Sequence, residues 1–237
     1  LVLALEDLHW ADDASLDAVA RLAEALNWHA ALILGNARPT LFERRPHWGE
    51  GERGHLRLDL KALSTAAIGK LVQALVAAGG EVVPEAVSTF VAERSEGNPY
   101  YVEELVEMLR TRDVLRQGPA GWEVDPIQLQ NVEVPTTLQG VLQARLDALG
   151  GEERQALQLA SILGKVFWDG AVLALGAADA TALDRLRGRG LVLARERSGF
   201  PDQREFVFKH ALLCDAAYST LLKKTRTALH AQAATWM

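Results

Sequence analysis

The chain has a single cysteine, Cys214, among 237 residues. No internal disulfide can form, and its neighbours read as placing a small hydrophobic side chain on a helix. Cysteine usage of this kind makes a cytosolic, cytoplasmic setting the expectation. No apolar run approaches the roughly 18 residues that a transmembrane helix needs. No basic segment precedes the apolar N-terminal run, so that run is not expected to be a signal peptide, and no membrane partner is expected. Positive charge is also in short supply. Lys and Arg number 25 against 31 Asp and Glu, for a formal net charge of −6, and this argues against broad nucleic-acid binding through the segment. His29, His47, His55 and His230 are scattered without metal-ligand spacing, and no Ser-His-Asp or Cys-His arrangement is present. The phosphate-cradling pattern G-x-x-x-x-G-K-[ST] is missing too. Gly69-Lys70 and Gly164-Lys165 lack both the glycine spacing and the following Ser or Thr. The sequence opens on Leu1, inside an apolar run and without an initiator Met, so a piece of a longer protein is expected.

What is present is an ordinary globular composition, 49% hydrophobic and 24% charged, rich in Ala and Leu and therefore mostly helical. Leu1-Val2-Leu3-Ala4-Leu5 is near-continuously apolar, the pattern of a central strand of a parallel sheet covered on both faces. Glu6 and Asp7 follow at once. Carboxylates at the C-terminal end of such a strand sit where open α/β sheets bind ligands. One can hold Mg²⁺ while the other orients an attacking water, which is a Walker B pattern. The same two acids also suit a helix-entry turn favoured by the helix dipole.

Asp12 predicts the N-cap of a helix with Leu16, Val19, Ala20, Ala23 and Leu26 at helical spacing. A second strand, residues 31–34, ends at Gly35-Asn36 and Pro39. Arg38, just beyond it, is placed to reach a γ-phosphate or to lie in solvent as a loop residue. Residues 48–54 read as a loop, and the alternation over 55–60 predicts a short edge strand. Three helices are expected over residues 61–115. Ser64 caps the first, whose stripe is Ile68, Leu71, Val72, Leu75 and Val76, and Gly79-Gly80 ends it. Pro84 starts the second, with Val87, Phe90 and Val91. Asn98 caps the third, with Pro99 at its first position and Leu105, Val106 and Leu109 buried. The turn from Gly97 to Tyr101 offers free backbone N–H groups and a flat proline ring, which can line an adenine pocket or simply start a helix. Glu103-Glu104 reads as first-turn charge.

Residues 116–134 lack periodicity and read as a connector with room for a hairpin. Over 135–208, short helices closed by strands at 191–194 and 205–208 suggest a winged-helix domain. His210, opening the helix that follows, can donate to a phosphate or serve as a core or capping histidine. Residues 209–237 start a further helical region, in which Lys223, Lys224 and Arg226 read as a solvated face. The expected division is therefore 1–60, 61–115, 116–134, 135–208 and 209–237.

In order along the chain stand L-E-D-L-H-W-A-D at residues 5–12, Arg38, E-R-S-E-G-N-P-Y-Y-V-E-E-L at 93–105 and F-K-H-A-L at 208–212. This series resembles the signal-transduction ATPases with numerous domains (STAND), a branch of the AAA-like P-loop NTPases. It is most similar to the module beside bacterial class III adenylate or guanylate cyclase domains, LuxR-type regulators and some protein kinases. The resemblance covers nearly the whole chain. It implies an α/β fold: the later part of a P-loop core with a parallel sheet, then a helical lid and a winged-helix domain.

The resemblance also implies roles. Glu6 takes the first Walker B position, tied to Mg²⁺, where many members carry Asp. Asp7 takes the second, tied to the attacking water and, with Glu6, to the metal. Arg38 matches sensor 1. Pro99, beside Asn98, matches the lid proline that packs on adenine, and His210 the residue that touches a β-phosphate in a closed state. ATP/ADP and Mg²⁺ are the implied cofactors, and slow hydrolysis acting as a timer is the implied activity. A covalently linked effector domain (cyclase, DNA-binding or kinase) and protein partners on the downstream helices are the implied associates. Two other readings stay open: a degenerate, non-catalytic interaction scaffold, and a winged-helix DNA-binding regulator. The acidic balance and the lack of a basic recognition helix count against the latter.

Overall fold

A computed structural model of the chain describes residues 1–51, 53–77, 81–119 and 121–237. It divides into two compact units, Leu1–Lys61 and Ala62–Met237.

In the first unit, β1 (Val2–Leu5) pairs in parallel with β2 (Leu32–Gly35), Val2 opposite Leu32 and Leu5 opposite Gly35. Between them runs α1 (Asp13–Ala25), capped by Asp12, whose carboxylate accepts the Ser15 N–H at 2.7 Å. The short α2 (Thr40–Arg44) follows β2. Leu8, Leu16 and Leu41 form the core of this unit. Two expectations are corrected here. β1 is not covered on both faces: among the described residues β2 is its only strand neighbour, and Val2 is 68% exposed. Val19, Ala20 and Ala23 of α1 and Leu26 just after it are correspondingly only half-buried and line an open cavity. Residues 55–60 form no strand, and Leu56, Leu58 and Leu60 are exposed. A strand is stabilised by a ladder partner and a covered face, and alternation in sequence supplies neither.

The second unit holds two apolar cores. Around the first pack α3 (Thr65–Val76), α4 (Glu85–Ser95) and α5 (Pro99–Thr111). Ser64 caps α3 by accepting the Ala67 N–H at 3.3 Å; the expected stop at Gly79-Gly80 lies outside the described residues. Ile68, Val72, Val87, Val91, Leu105 and Leu109 interlock at this centre. Residues 116–134 are more than a connector. They contain most of the hairpin of β3 (Leu115–Gly118) and β4 (Gly121–Val124) and all of α6 (Pro126–Asn131). Leu115 and Leu129 are buried in the same core. Their burial comes from the neighbouring helices, so no period in their own sequence announces it.

The helix α7 (Leu138–Asp147) joins the two cores, with Val141 in the first and Leu142 and Leu146 in the second. The second core is built on α8 (Gly151–Leu163), β5 (Val166–Trp168), α9 (Asp169–Ala174), α10 (Thr181–Gly188), β6 (Val192–Ala194), β7 (Glu205–Phe208), α11 (Ala211–Ser219) and α12 (Lys223–Trp236). Its sheet is antiparallel in the order β5-β7-β6. Two of these strands match the expected runs; β5, three residues long, is too short to show alternation. Phe167 and Phe206 are fully buried in it. Cys214 is buried in α11, and burial pushes its thiol up to about 12. Among the described residues, no helix is long and apolar enough to cross a membrane.

Candidate functional site

In the first unit the turn after β1 is fixed by one residue, Asn36, through its backbone and its side chain. Its N–H donates to the Leu5 carbonyl (3.0 Å), its carbonyl accepts from the Leu8 N–H (2.9 Å), and its Oδ1 accepts from the Asp7 N–H (2.7 Å). Gly35 makes room for this closure, since a Cβ there would lie 2.6 Å from Leu8 Cδ1. The turn holds Asp7 in the left-handed region, φ 56° and ψ 39°, which Asp tolerates better than most residues. A short 3-10 helix, Leu8–Trp10, follows. There His9 Nδ1 accepts from the Arg38 N–H at 3.4 Å, tying the loop after β2 to the turn after β1. Glu6, Asp7 and Arg38 therefore share one edge, at the C-terminal ends of two parallel strands. Glu6 and Arg38 are exposed there, and Asp7 is half-buried. With Nδ1 accepting, a neutral His9 ring carries its proton on Nε2, an atom that is buried without a hydrogen-bond partner.

Among the described residues, no group of three or more His, Cys, Asp or Glu is placed to hold a metal ion. Two adjacent carboxylates nevertheless suit Mg²⁺. This hard cation is usually held by one or two carboxylates, with water and substrate phosphates completing its octahedron. Glu6 and Asp7 could supply such an ion with one or two carboxylate ligands only, the rest of its shell coming from other oxygens.

In the second unit the start of α5 is equally fixed. Asn98 Oδ1 accepts from the N–H groups of Tyr100 (3.0 Å) and Tyr101 (3.3 Å), satisfying two otherwise free donors of the first turn. Ahead of it, Glu96 and Gly97 both have positive φ, 52° and 74°. Only glycine fits at 97, where a Cβ would stand 2.7 Å from Ala62 Cβ and 2.8 Å from the Leu63 backbone. Asn98 and Pro99 are exposed on this corner.

One turn further on, the Tyr100 ring stacks on His210 with centroids 3.7 Å apart. Glu103 Oε2 accepts from Lys209 Nζ at 2.7 Å and lies 3.4 Å from His210 Nε2. The structure thus brings His210 to the same end of α5 as Asn98 and Pro99. Glu103 and Glu104 are not first-turn dipole charges, as their position in sequence suggested. Glu104 is 2% exposed, and both its oxygens accept from Arg145 Nη1, at 2.6 and 2.7 Å.

Burial works to raise the Glu103 pKa, but Lys209 and His210 outweigh it and hold the carboxyl below its ordinary range. His210 is pushed below its ordinary value, chiefly by burial, with Glu103 opposing. The Tyr100 hydroxyl is pushed up, first by burial and then by the Glu104 charge; it has no hydrogen-bond partner of normal geometry.

No protein-family model matches this chain, and no curated protein matches it. Among solved structures, 99% of the chain aligns, with a TM-score of 0.61 and 15% identity, to a crystal structure from Pyrococcus horikoshii. That structure is of a signal transduction ATPase with numerous domains (STAND), carrying a tetratricopeptide repeat sensor. The chain has a STAND-like fold. It spans 30% of the length of that protein, and at such identity the likeness is one of fold. Within this STAND-like chain, reading the sequence for motifs missed His9, Asn36, Glu103 and Lys209 as parts of the site. Asn36 had a usable signal, an Asn directly after a strand, where its side chain can close a turn. Lys209 had only its place beside His210.

Proposed function

We propose that the chain is part of a nucleotide-dependent regulatory switch: an ATP-binding and slowly hydrolysing module of a multidomain signalling protein, linked to a cyclase, kinase or transcriptional-regulator output. One observation carries the reading. The Asn36 and His9 contacts gather two carboxylates and an arginine at the C-terminal edge of a parallel strand pair, where α/β folds bind nucleotides. The STAND-like fold over the whole chain supports it. So does the arrangement of helices around the β5-β7-β6 sheet, which suits a winged helix following a helical lid.

In this reading Glu6 and Asp7 hold Mg²⁺, which when bound neutralises phosphate charge. Asp7 orients the attacking water, and its turn is already fixed by Asn36, so little reorganisation is needed. Arg38 meets the charge that develops on the transferred phosphoryl group. Pro99, rigid at the exposed start of α5, packs against adenine beside Asn98, and His210 offers a proton donor to a phosphate. Binding shifts the switch only by the difference between its contacts in the two states.

The test is Asp7→Asn in the full-length protein. Hydrolysis falls by about a hundredfold or more, the usual scale for losing a group that assists proton transfer, while nucleotide affinity changes by less than a few-fold. Undiminished turnover, or equal loss of binding and turnover, rejects this role for Asp7.

A further inference from the structure

We propose that Glu103 is a positioning residue for His210 and Lys209: its carboxylate occupies the place of an incoming phosphate and must release both side chains before either can meet a nucleotide. This rests on the reading of His210 as a phosphate donor. A single oxygen, Glu103 Oε2, serves both Lys209 Nζ (2.7 Å) and His210 Nε2 (3.4 Å). With Nε2–H directed at that oxygen, a neutral His210 shows only the lone pair of Nδ1 elsewhere, and a lone pair repels an anion. The Tyr100 ring, stacked at 3.7 Å, restrains the imidazole from turning. Burial disfavours a second proton on the ring. The Lys209 ammonium is committed to the same carboxylate, whose negative charge also opposes an approaching phosphate.

The other charged groups near His210 do not share this part. Glu104, one residue on along α5, is fully engaged by Arg145 of α7, and Arg145 spends its other amino group on the Arg189 carbonyl at 2.6 Å. Tyr100 is neutral, with its hydroxyl pushed well above its ordinary value, chiefly by burial. Glu103 is therefore the group whose removal changes what His210 can donate. Its exchange for a phosphate also breaks the link between α5 and the corner where β7 meets α11, so nucleotide binding and the hold on that corner compete for the same donors.

The experiment measures ADP affinity by calorimetry on the full-length protein and its Glu103→Gln and His210→Asn variants, with the His210 titration followed by NMR. Glu103→Gln removes the competing charge and keeps the shape. ADP binding tightens about tenfold, the scale of one charge-assisted hydrogen bond, and the His210 pKa falls because an opposing anion is gone. His210→Asn weakens ADP binding. Lys209→Met, which need not share any folding defect of Glu103→Gln, also weakens it. Unchanged or weaker ADP binding in Glu103→Gln, alongside a loss in His210→Asn, overturns the inference and leaves the phosphate role of His210 standing. ADP affinity that is indifferent to His210→Asn overturns that role and the inference together, as does affinity indifferent to Lys209→Met for the part assigned to Lys209.

Discussion

Arg145 joins α7 to α5 through a carboxylate almost sealed from water, and its removal has a calculable cost. Glu104 is 2% exposed and Arg145 18%. Nη1 of Arg145 donates to both Glu104 oxygens, and its other amino group donates to the Arg189 carbonyl. Arg145→Leu deletes these bonds and leaves a buried anion without a partner. Breaking a buried pair from one side costs about 3–5 kcal/mol. Because Arg145 has some solvent contact, water can enter the space it leaves, so the lower end applies, about 3 kcal/mol. In a domain of about 150–250 residues each kcal/mol moves the melting temperature by roughly 2–4 °C, and the expected fall is about 6–12 °C. The cause is isolated by the double variant Glu104→Leu/Arg145→Leu, which replaces the ion pair with an apolar pair and regains most of the loss. Urea unfolding followed by tryptophan fluorescence reads both variants, with an unchanged m-value certifying that stability alone has moved. A single-variant cost below about 1 kcal/mol, or a double variant no more stable than Arg145→Leu, refutes the picture of a stranded charge.

Three further substitutions or reactions probe neighbouring features. Gly97→Ala forces a Cβ to within 2.8 Å of the Leu63 backbone at a φ of 74° and destabilises by more than about 1 kcal/mol; a melting temperature within a degree of the parent rules out that close approach. Pro99→Ala, at an exposed position, weakens adenine-nucleotide affinity by about threefold to fivefold, the scale of a partly buried apolar contact. Unchanged affinity makes Pro99 a helix start and nothing more. Cys214, buried with its thiol pushed up to about 12, stays inert to a thiol reagent at pH 8 and reacts once urea unfolds the chain; rapid stoichiometric labelling of the folded protein contradicts its burial.

The parts of this fold legible in the sequence are those decided within a few residues. Asp12, Ser64 and Asn98 cap their helices through side-chain bonds spanning two or three positions, and the stripes of α3, α4 and α5 repeat at the helical period. That Glu6, Asp7 and Arg38 lie along one edge was also legible, because a strand-helix-strand unit sets consecutive parallel strand ends side by side; the loops there are tied by the Arg38 N–H to His9, 29 residues away. Room for a hairpin within 116–134 was legible, but the exposed face of β1, the missing strand at 55–60, α6 and the burial of Leu115 and Leu129 were not, since each depends on what lies alongside and not on local pattern.

The acidic doublet in α5 shows the same limit at the site itself. Neighbouring residues on a helix point about 100° apart, so Glu103 and Glu104 cannot share one surroundings. Glu103 meets Lys209 and His210, 106 and 107 residues away, and Glu104 meets Arg145, 41 residues away. Two adjacent acids that look like one charged patch are two separate contacts, holding the start of α5 to α7 and to the corner where β7 meets α11. The same helix carries Asn98 and Pro99 at its start, so the two contacts, to α7 and to the corner where β7 meets α11, together fix where that start sits.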